Sequence, residues 1–432
     1  MEEKSMEQEN NSILNDYARD SVPEEKTYGW LSMGLIWAGV GISLGLIVTG
    51  GAIGSGLSFK AAVAASFIGG FVLAIVTSVC GVIGAKTHLS TAMISSFTFG
   101  KAAILIIALI QAFGSYGWFG IQLGLFGKTV NTTVQMALGI AVPTAICVII
   151  GGILMILSST FGYKSLDLLS KIAVPLLLLL LIASVVKILQ GHSIAEIMAM
   201  QAPGKPITLG YGISTAIASF IVGAVVAPDV SRYAKTPKAT IGASALAFAI
   251  VVPFMMVIGS LAAQVTGTSD IIDIMLKLGW GFIALIVLML AQWTSNDNNL
   301  YCAALGFSVV FKKLKKYQIT IASGIIGIAL ALTGIADNLT GFLNYLGILI
   351  PPMGGVLASD FYFYHKEKYK VEHLDQVKNI EIPACTAWVI GSAVSFITTY
   401  TGFSLTTVPS IDGMTIAFLI HFIWMRVKKS QS

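Results

Sequence analysis

Long apolar runs recur along the whole chain, with Ile104 to Leu109, Ala145 to Leu157 and Val174 to Val186 among them, and only short polar breaks lie between. A stretch of about 20 apolar residues crosses a bilayer as a helix, which satisfies its own backbone where no water can. The pattern predicts twelve spans, near 31–57, 61–84, 101–130, 136–159, 166–188, 208–229, 240–264, 279–299, 318–334, 338–359, 380–402 and 411–427. Composition agrees: 56% of residues are hydrophobic, 11% are charged, and the mean hydropathy is +0.84. An ordinary soluble domain of this size is excluded, and the chain reads as an all-α integral membrane protein.

The first 30 residues are polar, carry several acids and lack a hydrophobic core followed by a small-residue cleavage site, so they read as a cytoplasmic tail and not a signal peptide. With the amino terminus inside, only Lys60, Lys128, Lys187, Lys205 and Lys277 fall on the outer face, leaving 21 of the 26 basic residues inside. Inner clusters include Arg232, Lys235 and Lys238, then Lys312, Lys313, Lys315 and Lys316, then Lys366, Lys368 and Lys370. Such an asymmetry supports both the count and the orientation, because a miscount by one helix would swap every later loop. The net charge of +5 is therefore a topology signal and not a nucleic-acid footprint. The expectation is a multi-pass protein of a bacterial-type inner membrane, with both termini cytoplasmic and no obligate protein partner. Cys80, Cys147, Cys302 and Cys385 lie in or beside apolar segments without paired spacing, so neither a disulfide framework nor a zinc site is expected.

Glycine is concentrated in the first span, at Gly34, Gly39, Gly41, Gly45, Gly50, Gly51, Gly54 and Gly56. Two readings stand side by side: small residues let helices approach closely, and a broken helix exposes backbone carbonyls and amides to a bound solute or ion. The sixth span, Ser219 to Asp229, has Gly223 in its middle and Pro228 near its end. If spans one to five and six to ten form an inverted pair, the first and sixth face each other across a site, and the third and eighth correspond. No strong internal identity marks such a repeat.

Polar residues collect in those last two spans. Gln111, Ser115, Trp118 and Gln122 are spaced 4, 3 and 4 apart, one stripe down an otherwise apolar helix. In the eighth span, Gln292 to Asn299 contains one apolar member, and burying that many polar groups demands a cavity, a ligand or mutual partners. A cavity border is the expectation. Side-chain amides both donate and accept, which suits a neutral planar base; the hydroxyls of Thr294 and Ser295 suit a hard monovalent cation such as sodium, or simply bond back to the preceding turn. Asp297 is the obvious proton carrier if the coupling ion is a proton. Asp229 and Arg232 read as a border ion pair or an inner gate, and Lys86 with His88 as a solvated loop.

Five histidines, at 88, 192, 365, 373 and 421, show no HExxH or paired intramembrane spacing, so a metalloenzyme or haem protein is not expected. Nor does the chain contain a repeated selectivity loop of the kind a channel needs. An amino-acid carrier would require complements to a zwitterion.

The segments Tyr116 to Gly120, Trp293 to Asn298 with Leu300-Tyr301, Thr49-Gly-Gly51 with Gly54 and Gly56, and Pro351 to Gly355 resemble the cytosine permease branch of the nucleobase:cation symporter-1 family over nearly the whole chain. That resemblance implies a leucine-transporter-like 5+5 inverted repeat plus two C-terminal helices. The parts would be a tail at 1–30, repeats at 31–188 and 208–359, two helices in 380–427 and a tail at 428–432. It further implies a base stacked between Trp118 and Phe220, with edge bonds from Asn296, from Ser219 and Gly223, and from Ser115, Gln111 or Gln122. Sodium is implied as the coupling ion, held by backbone oxygens of Gly39, Ile42 and Ala291 and the hydroxyls of Thr294 and Ser295, with no other cofactor. One position departs: cytosine permeases carry glutamine where this chain has Ser115. Gln111 or a water then compensates, or the pocket takes a larger base such as a purine or another heterocycle.

Overall fold

The computed structural model describes residues 21–430 except 162, 312, 367 and 370. Fifteen helices carry the argument: α1 (Trp30–Gly41), α2 (Leu44–Gly56), α3 (Phe59–Thr87), α4 (Thr91–Phe99), α5 (Ile104–Leu138), α6 (Thr144–Phe161), α7 (Tyr163–Gly191), α8 (Leu209–Ala218), α9 (Ile221–Val225), α10 (Pro237–Thr266), α11 (Gly281–Val310), α12 (Lys316–Leu332), α13 (Leu339–Ser359), α14 (Ile382–Tyr400) and α15 (Pro409–Ser430). All twelve apolar segments lie on helices. Among the described residues, seven helices are long and apolar enough to cross a membrane, and the bent pair α1 and α2 makes an eighth if counted as one span. Three shorter apolar helices, Thr144–Thr160, Leu209–Ala218 and Tyr317–Leu332, accompany them. The eighth segment runs far past its expected end at 299, to Val310, and the third runs past 130 to Leu138.

Helix ends follow local chemistry. Ser90 and Thr208 cap α4 and α8 by accepting from Met93 N–H and Tyr211 N–H, while α5 and α10 stop at Gly139 and Gly267, both in the left-handed region that favours glycine. His88, expected to be solvated, is instead half-buried at the end of α3, where its Nδ1 lies 2.7 Å from the Arg232 carbonyl oxygen. A short loop between two tightly packed helix ends leaves the ring little water to face.

The glycines of the first span divide between the two readings offered for them. On α2 they serve close packing. A Cβ at Gly50 would lie 2.0 Å from the Met256 carbonyl oxygen, one at Gly54 2.6 Å from Ser260 Cα, and one at Gly259 2.0 Å from the Ile47 carbonyl oxygen. The two backbones therefore touch, and Ser260 donates its hydroxyl to Gly50 O at 2.7 Å across the contact. Gln264 then donates to Gly54 O and Leu57 O, satisfying carbonyls at the end of α2. Elsewhere in the same span the chain breaks.

Candidate functional site

Between α1 and α2 the axis turns by 61°. Ile42 (φ −84, ψ 77) and Ser43 (φ −130, ψ 148) leave the helical region, and the last turn of α1 loses its partners for carbonyls near Gly39 and Ile42. The sixth segment breaks too: Phe220 has φ −133 and ψ 10 between α8 and α9, and Ser219 returns its hydroxyl to Ala216 O at 2.7 Å. Ser219 is buried, while Phe220 and Gly223 are half-buried.

The polar stripe of α5 meets both breaks. A Cβ on Gly45, just past the first break, would sit 3.0 Å from the Trp118 ring, so the indole rests directly against α2. One turn earlier on α5, the missing Cβ of Gly114 would lie 2.6 Å from Val222, just past the second break. Trp118, Ser115 and Gln111 are half-buried and Gln122 is 4% exposed. The rings of Trp118 and Phe220 do not touch each other: Trp118 stands edge-on to Phe342 at 5.6 Å, and Phe220 stands edge-on to Phe248 at 5.0 Å. The Phe220 ring folds back over Gly223, where a Cβ would be 2.4 Å from it.

Three amide atoms along this region, Gln111 Nε2, Gln122 Oε1 and Gln292 Oε1, are buried with no hydrogen-bond partner among the described residues. Gln292 reaches the same stripe, since its Nε2 lies 3.4 Å from Thr129 Oγ1, two turns beyond Gln122. Buried polar atoms without partners are rare. Gln111 with an unpartnered donor and Gln122 with an unpartnered acceptor, on one face of α5, suit a ligand that carries both.

The eighth segment is arranged differently from expectation. Its polar run borders the neighbouring helices more than a cavity: Asp297 Oδ1 accepts from Ser158 and Ser159 of α6, each at 2.8 Å, and Trp293 donates to Ser158 Oγ at 3.0 Å. Asn296 is wholly buried, and its Nδ2 donates to Phe119 O at 3.2 Å and to Met155 Sδ at 3.4 Å, while its Oδ1 accepts from Asn299. Asn296, two residues past Thr294 and so about 200° round the helix, lies on the side facing α5 and α6, where it meets the backbone of Phe119, the residue next to Trp118. Thr294 donates back to Ala291 O at 3.0 Å, and Ser295 is half-buried. These residues share α11, which also touches α2, so hydroxyls and the opened carbonyls of the first break lie on adjoining helices.

At the C-terminal end of the sixth segment, Arg232 is 1% exposed and donates its Nε–H to the backbone carbonyl of Asp229 at 3.1 Å, and Asp229 Oδ1 accepts from Thr91 N–H at 2.7 Å. Tyr28, just before α1, pairs with Tyr233 and Lys235 through backbone bonds of 2.7 and 2.8 Å. The ties of Thr91 to Asp229 and of Tyr28 to Tyr233 and Lys235 have no sequence signature, because each joins residues far apart in the chain.

Two broken helices meeting one polar, aromatic stripe define a broken-helix carrier architecture. Comparison with known proteins is specific about the family. Residues 21–420 match the model described as "Permease for cytosine/purines, uracil, thiamine, allantoin", and the chain belongs to that family of membrane transporters, known also as nucleobase-cation-symport-1. It is 29% identical over 379 residues to the cytosine permease of Escherichia coli K12, covering 88% of each chain. It is 23% identical over 455 residues to the hydantoin permease of Microbacterium maritypicum, covering 97% of this chain and 90% of that one. In fold it is similar to Mhp1, a transporter of the same family solved in a closed conformation with bromovinylhydantoin bound. There the TM-score is 0.82 at 19% identity, over 96% of both chains.

Proposed function

We propose that this protein imports a nucleobase, cytosine foremost, together with sodium, by alternating access through twelve spans of the inner membrane. The observation that carries the reading is the approach of both helix breaks to one stretch of α5, through Gly45 at Trp118 and through Val222 at Gly114, one turn earlier. A flat base entering there stacks on the indole, and Phe220 closes on its second face by swinging away from Phe248. Edge recognition falls to Gln122 and Gln111, whose unpartnered amide atoms match a base rimmed with N–H and carbonyl groups. The backbone at Ser219 and Gly223 adds to that edge.

Sodium sits, in this reading, between the opened carbonyls of Gly39 and Ile42 and the Ala291, Thr294 and Ser295 positions on α11. The set is neutral oxygen only, which suits a monovalent ion that must leave again. Thr294 would have to turn from Ala291 O toward the ion, freeing that carbonyl as a second ligand. Binding at the break favours one arrangement of the α1–α2 pair and so makes the base pocket less costly to form.

A second reading is favoured by one residue. Ser115 is shorter than the glutamine found there in cytosine permeases, and similarity extends to a hydantoin permease. The wider pocket would then take a purine or a hydantoin-like ring. Equilibrium binding of cytosine, adenine, hypoxanthine and hydantoin, followed by quenching of tryptophan fluorescence with and without sodium, separates the two. Sodium-enhanced cytosine binding supports the first reading; purine or hydantoin binding without cytosine binding replaces it with the second.

A further inference from the structure

The face that the charge asymmetry assigns to the cytoplasm carries a second titratable cluster, remote from the base pocket. Asp360 opens a π-helical turn, Asp360–Tyr364, that continues α13; such turns are rare and concentrate at functional sites. Its carboxylate is 2% exposed and accepts hydrogen bonds from Thr98 Oγ1 at 3.0 Å and from the Tyr369 hydroxyl. His365 Nδ1 lies 3.2 Å from Oδ2, and His421 Nε2 lies 3.8 Å from Oδ1. The His421 ring is held in place by Ser359 Oγ, 2.9 Å from its other nitrogen.

One carboxylate thus ties together α4, the end of α13, the connection that follows it and α15. A cavity of about 280 Å³ opens beside the cluster and gives it access to solvent protons. Among the described residues, the other charged groups facing that cavity are Lys368, His373 and Lys378 on the connection and Glu381 at the start of α14, which has Lys428 at 4.0 Å.

Helix α4 connects this cluster to the transport machinery. All nine of its residues are buried. Thr98 near its C-terminal end holds Asp360, while at its other end Thr91 donates its N–H to Asp229 Oδ1 and its hydroxyl to Val226 O at 3.2 Å. A strut about 13 Å long therefore runs from the Asp360 cluster to the inner end of the broken sixth segment.

We propose that Asp360, His365 and His421 form a proton-binding site on the inner face, and that its occupancy sets how firmly α4 holds the sixth segment shut on that side. The second half rests on the transport reading above; the proton site itself does not. Burial works against charge on His365, but the hydrogen bond and the negative charge of Asp360, with Glu381 adding, outweigh it and lift the imidazole above its ordinary range. The contribution of the pair is then complete below the ordinary imidazole value and is lost as pH rises through the raised one. Tyr369 stays a donor throughout, since burial and the neighbouring Asp360 keep its phenol far above its usual range. Alkaline conditions at the inner face therefore leave a buried carboxylate without its imidazolium and loosen the strut.

Hydrogen exchange of the full-length reconstituted protein tests this, comparing the 91–99 backbone amides at about pH 6 and about pH 8 after correction for intrinsic exchange. Protection should fall by about tenfold or more across that interval. His365→Gln should remove the step, and His365→Lys, with its permanent charge, should keep protection high at both values. A flat profile in the unsubstituted protein, or an unchanged step in His365→Gln, overturns the proton site. Uptake measured in the same vesicles should slow when the lumen facing this side is acidified; an exchange step without any effect on uptake would retain the proton site and refute its control of the sixth segment.

Discussion

Asn296 offers the sharpest test of which side of the eighth segment faces the substrate. Replacing it with leucine keeps the volume and removes the amide. The loss is the donated bond to Phe119 O, the weaker one to the Met155 sulfur and the bond received from Asn299, all in a fully buried setting. At about 0.5–1.5 kcal/mol for a neutral hydrogen bond, and with the leucine gaining some apolar burial, the net destabilisation comes to about 1–2 kcal/mol. That corresponds to roughly 5–30-fold in the folding equilibrium. Because the amide is already taken up by Phe119 O, the Met155 sulfur and Asn299, base affinity of the protein that remains folded should change by less than about twofold, well under the 1.4 kcal/mol that a tenfold change represents. Thermal unfolding in detergent reads the first quantity and fluorescence-detected base binding the second. Unchanged stability with a tenfold or greater loss of affinity would mean that Asn296 turns to read the base, and the geometry drawn from its hydrogen bonds would be wrong for the transporting state.

Other substitutions divide the remaining roles. Trp118→Ala should weaken base binding by about 1–3 kcal/mol, the worth of one base stacked on an aromatic ring, while Trp118→Phe should retain most of it; equal affinity in all three proteins would remove the stacking pocket. Thr294→Ala should raise the sodium concentration for half-maximal binding by about tenfold, as expected for losing one ion ligand worth about 1.4 kcal/mol, with base affinity at saturating sodium preserved. Gly54→Ala drives a methyl to 2.6 Å from Ser260 Cα, where backbone and not a flexible side chain must yield, so a loss of about 1–3 kcal/mol in stability is expected from thermal unfolding.

The parts of this architecture written in local sequence were readable in advance. Apolar length marked the helices, and the spacing of Gln111, Ser115, Trp118 and Gln122 marked one face of α5, which the structure turns toward both breaks. Glycine density at 34–56 could not by itself separate a break from a packing seam, because the absence of a Cβ serves both. The outcome is a break at Ile42 and Ser43 followed by a seam at Gly50 and Gly54. The run from Gln292 to Asn299 was legible only in part for a related reason. Polar density signals that partners are needed, but Ser158, Ser159 and the Phe119 carbonyl, which supply them, stand more than 100 positions away. The same holds for Asp360 and His421, separated by 61 positions and joined only when α13 packs on α15.

The most direct measurement of the central claim is uptake of radiolabelled cytosine into proteoliposomes, with and without an inward sodium gradient, in competition with unlabelled adenine, hypoxanthine, uracil and amino acids. Saturable cytosine uptake is expected, accelerated by the sodium gradient and abolished by unlabelled cytosine, while amino acids leave it intact. Uptake indifferent to sodium, or blocked by amino acids and not by any base, would contradict it.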